Sequence, residues 1–376
     1  MRIDILDSLA SVHPDDWNAL TDDDNPFVRH EFLFALEQYH CLEEFGWYPQ
    51  HVAIFDNDHL VAAMPMYIKD NSYGELVFDW AWADAYHRSG LPYYPKLVTA
   101  IPYTPASGPR LLVADDDKYP TYAPILLDSA IKLATQENMS SVHWLFTNVR
   151  DTALLKQQGM AMRLGCQFHW HNQNYKNFDD YLQHFASQKR KKIKRERKRV
   201  SDEQIQLEIR HGQDMTEELW ETFHSFYRST FDRKSGMATL TKSFFQSIGE
   251  TMPENVVVVF ARHAGHYVAS ALNIRGRSTL FGRHWGCSEH YHSLHFEACY
   301  YQGLEYCIQN ALRSFEPGAQ GEHKVSRGFL PTATWSGHWI RHSEFATAIQ
   351  RFTEQEQQGM QHYIKCLAEH SPFRKN

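Results

Sequence analysis

The densest chemistry in the chain lies in the segment EPGAQGEHKVSRGF, from Glu316 to Phe329. Glu322 and His323 are residue types that take a proton from a nucleophile near neutral pH. Lys324 and Arg327 can hold an anion, Arg327 through a planar fork of donors. Gln320 adds an amide beside them. Gly318 and Gly321 permit tight turns and close approach of backbone to a ligand. The segment follows a predicted strand at 313–316, where α/β proteins commonly place site loops. A solvated charged loop has the same composition, and both readings stand at this level.

Three further segments carry chemistry. GRHWGCSEHYHSLHFE, from Gly282 to Glu297, gathers His284, His290, His292 and His295 around Cys287. Its spacing contains no H-E-x-x-H and no paired C-x-x-C, so no metal site is expected. His295 and Glu297 open the helix that follows, a position that suits an anion or simply a cap. Glu75 and Asp79 place carboxylates among rings; Asp79 is a candidate base or a hydrogen-bonded strut. YYPK and PASGPR add Lys96 and Arg110, which can hold an acidic substrate or pair with local carboxylates. Finally, Lys189 to Arg199 contains nine basic residues and one Glu, a net of +8, so the remainder carries −15 against −7 overall. Such a run binds phosphates or forms a solvated helix face.

The elements that must position these residues follow from periodicity. Helices are predicted over 25–39, 123–137, 150–158, 178–200, 216–231, 241–250, 294–311 and from 344 onward. Strands are predicted over 51–55, 60–67, 75–82, 141–146, 163–171, 205–209, 256–262, 267–275, 279–285 and 313–316. Five prolines between 83 and 109 predict irregular chain there. Tyr86, Tyr93, Tyr94 and Tyr103 would order it. The meander from Phe55 to Trp82 matches the one from Phe260 to Trp285. This repeat predicts two α/β domains, 1–175 and 176–376, the second opening with the basic helix.

Composition narrows the classes. With 376 residues, 43% hydrophobic and 22% charged, the chain is long enough to bury a core unaided. A net charge of −7 argues against indiscriminate nucleic-acid binding. The six cysteines form no C-x-x-C and read as reduced thiols. Walker A, G-x-G-x-x-G and G-x-S-x-G motifs are absent, which removes support for nucleoside triphosphate, dinucleotide and serine-hydrolase chemistry. No run of ~18 apolar residues is present and the opening has no signal-peptide pattern, so no membrane span and a cytoplasmic location are expected.

HEFLFALE, GWYPQHVAIF, PMYIKDNSYGELVFDWAWADAYHRSG, YYPKL, IPYTPASGPRLL, GRHWG, LHFEACYYQGLEYCI and FEPGAQGEHKVSRGFLPTATWSGHW together resemble the bacterial FemAB-like family. That family is named for peptidoglycan biosynthesis or recognition and is often labelled a GNAT-type N-acetyltransferase. The resemblance runs from about Ser11 to Glu356. It implies an α/β (α+β, mixed-sheet) fold of tandem acyl-CoA N-acyltransferase domains, as in the Fem peptidyltransferases. The implied activity is an acyltransferase that forms an amide on an amine of a cell-wall precursor, amino sugar or peptide. Two alternatives remain: a non-catalytic peptidoglycan or peptide recognition protein, and an aminoacyl-tRNA-dependent peptidyltransferase. No permanently bound cofactor is implied; acyl-CoA is a candidate co-substrate, although neither half shows a Q/R-x-x-G-x-G/A loop. The implied partners are a small-molecule or muropeptide-like substrate and tRNA, the latter through Lys189–Arg199. On this reading Glu322, His323 and Asp79 carry catalysis. Arg110, Lys96, Lys324 and Arg327 hold substrate or donor phosphates, and Trp82, Tyr94 and Trp285 line the cleft. Glu75, His295, Glu297 and Gln320 complete the binding set. Glu316–Arg327 and Asp79–Lys96 are expected to face one cleft.

Overall fold

Strand pairing between distant parts of the chain decides how the molecule divides. In the computed structural model, which describes residues 1–21, 24–233 and 236–374, one unit is Met1–Cys166 with Ala333–Tyr363. The other is Gln167–Thr332 with Ile364–Asn376. The sequence reading, 1–175 and 176–376, contains no such exchange. Its source is the strand Leu330–Ile340, which the sequence reading did not assign. Residues 335–340 of that strand pair antiparallel with Ser141–Thr147 and so return the chain to the first unit.

The first unit contains an antiparallel sheet of Arg2–Leu6, His51–Asp56, His59–Met64 and Leu112–Val113. A second set of strands runs Trp47–Pro49, Tyr67–Lys69, Lys96–Thr99, Ser141–Thr147 and 335–340. Lys96–Thr99 and Ser141–Thr147 are parallel. Helix Tyr119–Gln136 buries Leu126, Leu127, Ala130 and Ala134 at helical spacing against Val52, Ile54, Leu97, Val142 and Trp144. A fully buried Val or Leu side chain contributes roughly 1.5–3 kcal/mol, so this stripe is a main source of the unit's stability.

Four expectations in this unit are corrected. Residues 75–82 are not a strand: helix Trp80–Arg88 begins there. Alternating rings fit a strand pattern, but Trp82 and Tyr86, four apart, are the buried pair, and Leu76 has a left-handed backbone, φ 61°. The strand 60–67 breaks at Pro65 into His59–Met64 and Tyr67–Lys69. The region 83–109 is not wholly irregular, because it holds the end of that helix and the buried strand Lys96–Thr99. The matched meander therefore fails at its third strand. Leu112–Val113, after a long excursion, pairs where 75–82 was expected to pair.

In the second unit the meander holds. Gln206–His211, Val256–His263, His266–Arg275 and Thr279–Cys287 are successive antiparallel strands. Val256–Val259 supplies four β-branched residues in a row, suited to a strand covered on both faces. Val259 packs on Ala298 from one side, while His284 meets Tyr227 and Phe245 from helices Glu217–Arg233 and Lys242–Thr251 on the other. The predicted helix 178–200 is two helices, Phe178–Gln183 and Ser187–Asp202. Phe185 between them bridges Phe373. Among the described residues, no helix is long and apolar enough to cross a membrane.

Candidate functional site

The second unit builds a site where a parallel strand pair ends. Thr279, Leu280 and Phe281 pair with Ser314, Phe315 and Glu316. Pro317 has no N–H with which to extend the ladder. Beyond it the strand Thr279–Cys287 keeps its pairing with His266–Arg275, interrupted by a register shift at Leu272/Asn273 opposite Arg283. Bulges of this kind re-aim side chains next to sites. At the divergence lies a cavity of about 100 Å³, lined by Gly282, Trp285, His295, Cys299, Tyr300 and Pro317 among others.

A second cavity, of about 340 Å³, shares His295 with it. Lys192, Arg195, Arg199, His290, His292 and His295 lie in its wall. Lys192, Arg195 and Arg199 are three and four residues apart, so they share one face of helix Ser187–Asp202. The adjoining face of that helix, beginning at Glu196 in the same wall, ties it to the body. Ile193, Glu196 and Val200 are buried. Glu196 accepts from Arg327 Nη2 at 2.8 Å and from the Tyr301 hydroxyl. Arg197 forks to Glu297 and Glu305 at 2.8–3.1 Å. Among the described residues, Arg195 and Arg199 have no carboxylate within ion-pair distance. Within the charge run, Arg197 is thus an anchor, while Arg195 and Arg199, with Lys192 at 4.0 Å from Glu196, line the cavity.

The Glu316–Arg327 loop returns as a short 3-10 helix, Glu322–Arg327. Lys324 is only 2% exposed, and its Nζ donates to the Gly318 carbonyl at 2.7 Å. Gly318 has φ 90°, a conformation glycine adopts without strain. Burial pushes the Lys324 ammonium down to about 8, with the neighbouring Cys299 opposing. His323 Nε2 is 3.0 Å from the Tyr300 hydroxyl. Burial first, then the Arg327 and Lys324 charges, hold this imidazole below its usual value, so it is neutral at physiological pH. Glu322 and Gln320 are exposed. Arg327 is buried, bonded to Glu196 and Tyr301 and lying 3.5 Å over the Phe296 ring. It fixes the loop rather than presenting a free guanidinium. Glu297 is likewise engaged, by Arg197 and Gln302.

The first-half residues form their own buried network. The Lys96 ammonium is bonded to Glu75 at 2.9 Å, to Ser72 at 3.1 Å and to Asp79. Tyr93 donates to Asp79 at 2.5 Å, and Tyr94 shares a 2.7 Å bond with Ser72. Burial would raise Asp79, but Lys96 outweighs it and holds the carboxyl low. Trp82 packs on His338 and His143, whose Nδ1 atoms are 2.6 Å apart. Burial keeps both imidazoles neutral. Arg110 is fully buried and donates to the carbonyls of Leu145, Pro109 and Ala106. Asp79–Lys96 and Glu316–Arg327 belong to different units, and each set has its own partners.

Sequence reasoning had singled out the loop, His295, Trp285 and the basic run. It passed over Tyr300 and Cys299, which read as ordinary helix positions, and the pair His143 and His338, 195 residues apart. Among the described residues, no group of three or more His, Cys, Asp or Glu is arranged to hold a metal ion.

Comparison with known proteins agrees with this architecture. The crystal structure of FemX matches with 12% identity over 93% of this chain and 100% of its own, TM-score 0.55. L-PGS from Bacillus licheniformis matches with 11% identity over 90% of this chain and 96% of its own, TM-score 0.55. A conserved protein of unknown function from Bacteroides thetaiotaomicron matches with 12% identity over 91% and 100%, TM-score 0.53. At these identities the likeness is one of fold, a mixed α/β fold. No curated protein sequence matches the chain. The FemAB-like family, described as peptidoglycan biosynthesis/recognition, matches residues 8–375. From a match over nearly its whole length, the chain belongs to the FemAB-like family.

Proposed function

We propose that this protein is an N-acyltransferase that draws its acyl group from a phosphate-bearing carrier. The acceptor is an amine of a cell-wall precursor, amino sugar or peptide. The observation that carries the reading is that His295 lines both cavities, one of which holds Lys192, Arg195 and Arg199 in its wall while the other is set at the strand divergence. A carrier with an anionic end and an extended acyl end matches that pair. Lys192, Arg195 and Arg199 would take the phosphates. The strand edge beyond Phe281 would receive the extended portion through backbone hydrogen bonds.

The chemistry needs a neutral amine, a proton acceptor and a positive field at the developing oxyanion. The amine attacks the acyl carbon, the bond to the carrier oxygen or sulfur breaks, and the amine proton passes to a base. His323 suits the base role because it is neutral, accessible and oriented by Tyr300. Lys324 suits the field role as a buried cation behind Cys299 and Gly318. Glu322, exposed beside them, is a second candidate for proton transfer.

The test is amide formation followed by mass spectrometry, with an acyl-CoA in one arm and an aminoacylated RNA hairpin in the other. Each arm is offered amino sugars and muropeptides. Product in either arm supports the reading and identifies the carrier. Binding without product in both arms would leave a recognition protein.

A further inference from the structure

Burial is inverted between residues 71 and 80. The fully buried side chains there are Ser72, Glu75 and Asp79, all polar, while Tyr73, Leu76, Phe78 and Trp80 are 56%, 37%, 54% and 42% exposed. Soluble proteins normally sort these types the other way. Apolar burial therefore does not hold this segment in place. Its carbonyls at Phe78 and Gly74 accept from Arg163 and from the Tyr103 N–H, and its buried side chains converge on Lys96, on the buried strand Lys96–Thr99. A lysine ammonium has three donors, and here they go to Ser72, Glu75 and Asp79. The Glu75 carboxylate straddles the ammonium, with both oxygens 2.9 Å from it, and among the described residues the buried Asp79 Oδ1 has no hydrogen bond. Between the anchors Leu76 sits at φ 61°, a strained conformation for a leucine.

From this geometry we propose that Glu75 is a proton-operated latch that holds the segment 72–80, with its exposed rings, against the first unit. One ammonium facing two buried carboxylates is satisfied with one of them neutral, and protonated Glu75 leaves the Lys96–Asp79 pair intact. Opening the segment returns Glu75 to water, where it ionises as an ordinary carboxylate.

The groups facing Glu75 are Lys96, Lys69 and Asp79, with Tyr93 and Tyr94 beside them. Burial pushes Glu75 up to about 7 and Lys69 down to about 8. Lys96 stays charged because the two carboxylates outweigh burial, Asp79 stays ionised against Lys96, and both tyrosines stay protonated. Between pH 5 and 7.5 Glu75 is thus the member of this set that changes charge. The closed segment binds a proton that the open one releases, so opening becomes more frequent as pH rises, by roughly 80-fold between pH 4.5 and 7.

Hydrogen exchange of peptides covering 72–80, corrected for the intrinsic pH dependence, tests this on the intact protein. Peptides covering 141–147 serve as the internal reference. The expected result is at least a tenfold loss of protection in 72–80 from pH 5.5 to 7.5, with the reference unchanged. Glu75→Gln, which imitates the protonated acid, should keep the acid-side protection throughout. The same pH dependence in both proteins would overturn the latch. If the variant does not fold, the wild type alone decides: protection of 72–80 that tracks the reference at every pH overturns it equally.

Discussion

Replacing Lys324 with methionine should stabilise the protein at neutral pH while removing transfer activity. Lys324 is 2% exposed, and its amine is pushed from 10.5 to about 8 by burial. At 1.36 kcal/mol per tenfold change in proton affinity, keeping it charged in the fold costs roughly 3 kcal/mol. Methionine is a similar apolar rod and removes that cost. It also leaves the Gly318 carbonyl without its 2.7 Å donor, a loss of about 1 kcal/mol or somewhat more. The net gain at pH 7 is then about 1–2 kcal/mol.

The pH dependence gives the sharper signature. Below about pH 8 the amine is charged in folded and unfolded chains alike. Between pH 8 and 10.5 the unfolded chain binds more protons, so Lys324 makes the wild type more stable as pH rises. The variant lacks this rise, and its advantage should vanish and reverse near pH 10. Urea denaturation at pH 7, 8.5 and 10 reads the effect directly. A methionine variant less stable than wild type by more than 1 kcal/mol at pH 7, with a pH-independent difference, would refute the reasoning. It would make Lys324 a structural strut. Stability gained at the expense of activity is the usual mark of a group kept for function.

Other substitutions separate site from scaffold. His323→Ala removes an accessible base, so the transfer rate constant should fall 100-fold or more in single-turnover assays, while stability stays within about 0.5 kcal/mol of wild type. Asp79→Asn breaks a buried ion pair and should lower urea-denaturation stability by about 3 kcal/mol; an unchanged midpoint would return Asp79 to the list of site candidates. Arg110→Ala removes the donor for three carbonyls, two of them in buried bonds, so the variant should unfold at markedly lower urea, by about 3 kcal/mol or more.

Parts of this structure were legible in sequence because local pattern and tertiary context agree there. Val256–Val259 reads as a strand and is one, buried on both faces. The loop after Ser314–Glu316 was recognisable because a short strand ends at Pro317 and glycines follow. Segment 75–82 was misread because alternating rings fit both periods. Lys96, 17 and 21 residues downstream of Asp79 and Glu75, draws both carboxylates inward and settles the conformation. The basic run could not be resolved into anchors and cavity-lining cations either. That division depends on Glu297, Glu305 and Arg327, more than 90 residues away. The exchange of segments between the units was hidden for the same reason, since it rests on the pairing of 335–340 with Ser141–Thr147.

The central claim is that Arg195 and Arg199 hold the anionic end of the acyl carrier. Calorimetric titration of whichever carrier supports transfer, at 50 and 200 mM salt, with wild type and the double variant Arg195→Ala/Arg199→Ala, tests it most directly. The double variant should bind at least tenfold more weakly at the lower salt. Its affinity should also depend less on salt, with a log–log slope shallower by up to about two, because each lost phosphate contact releases one counterion fewer. Equal affinities and equal slopes for the two proteins would contradict the assignment.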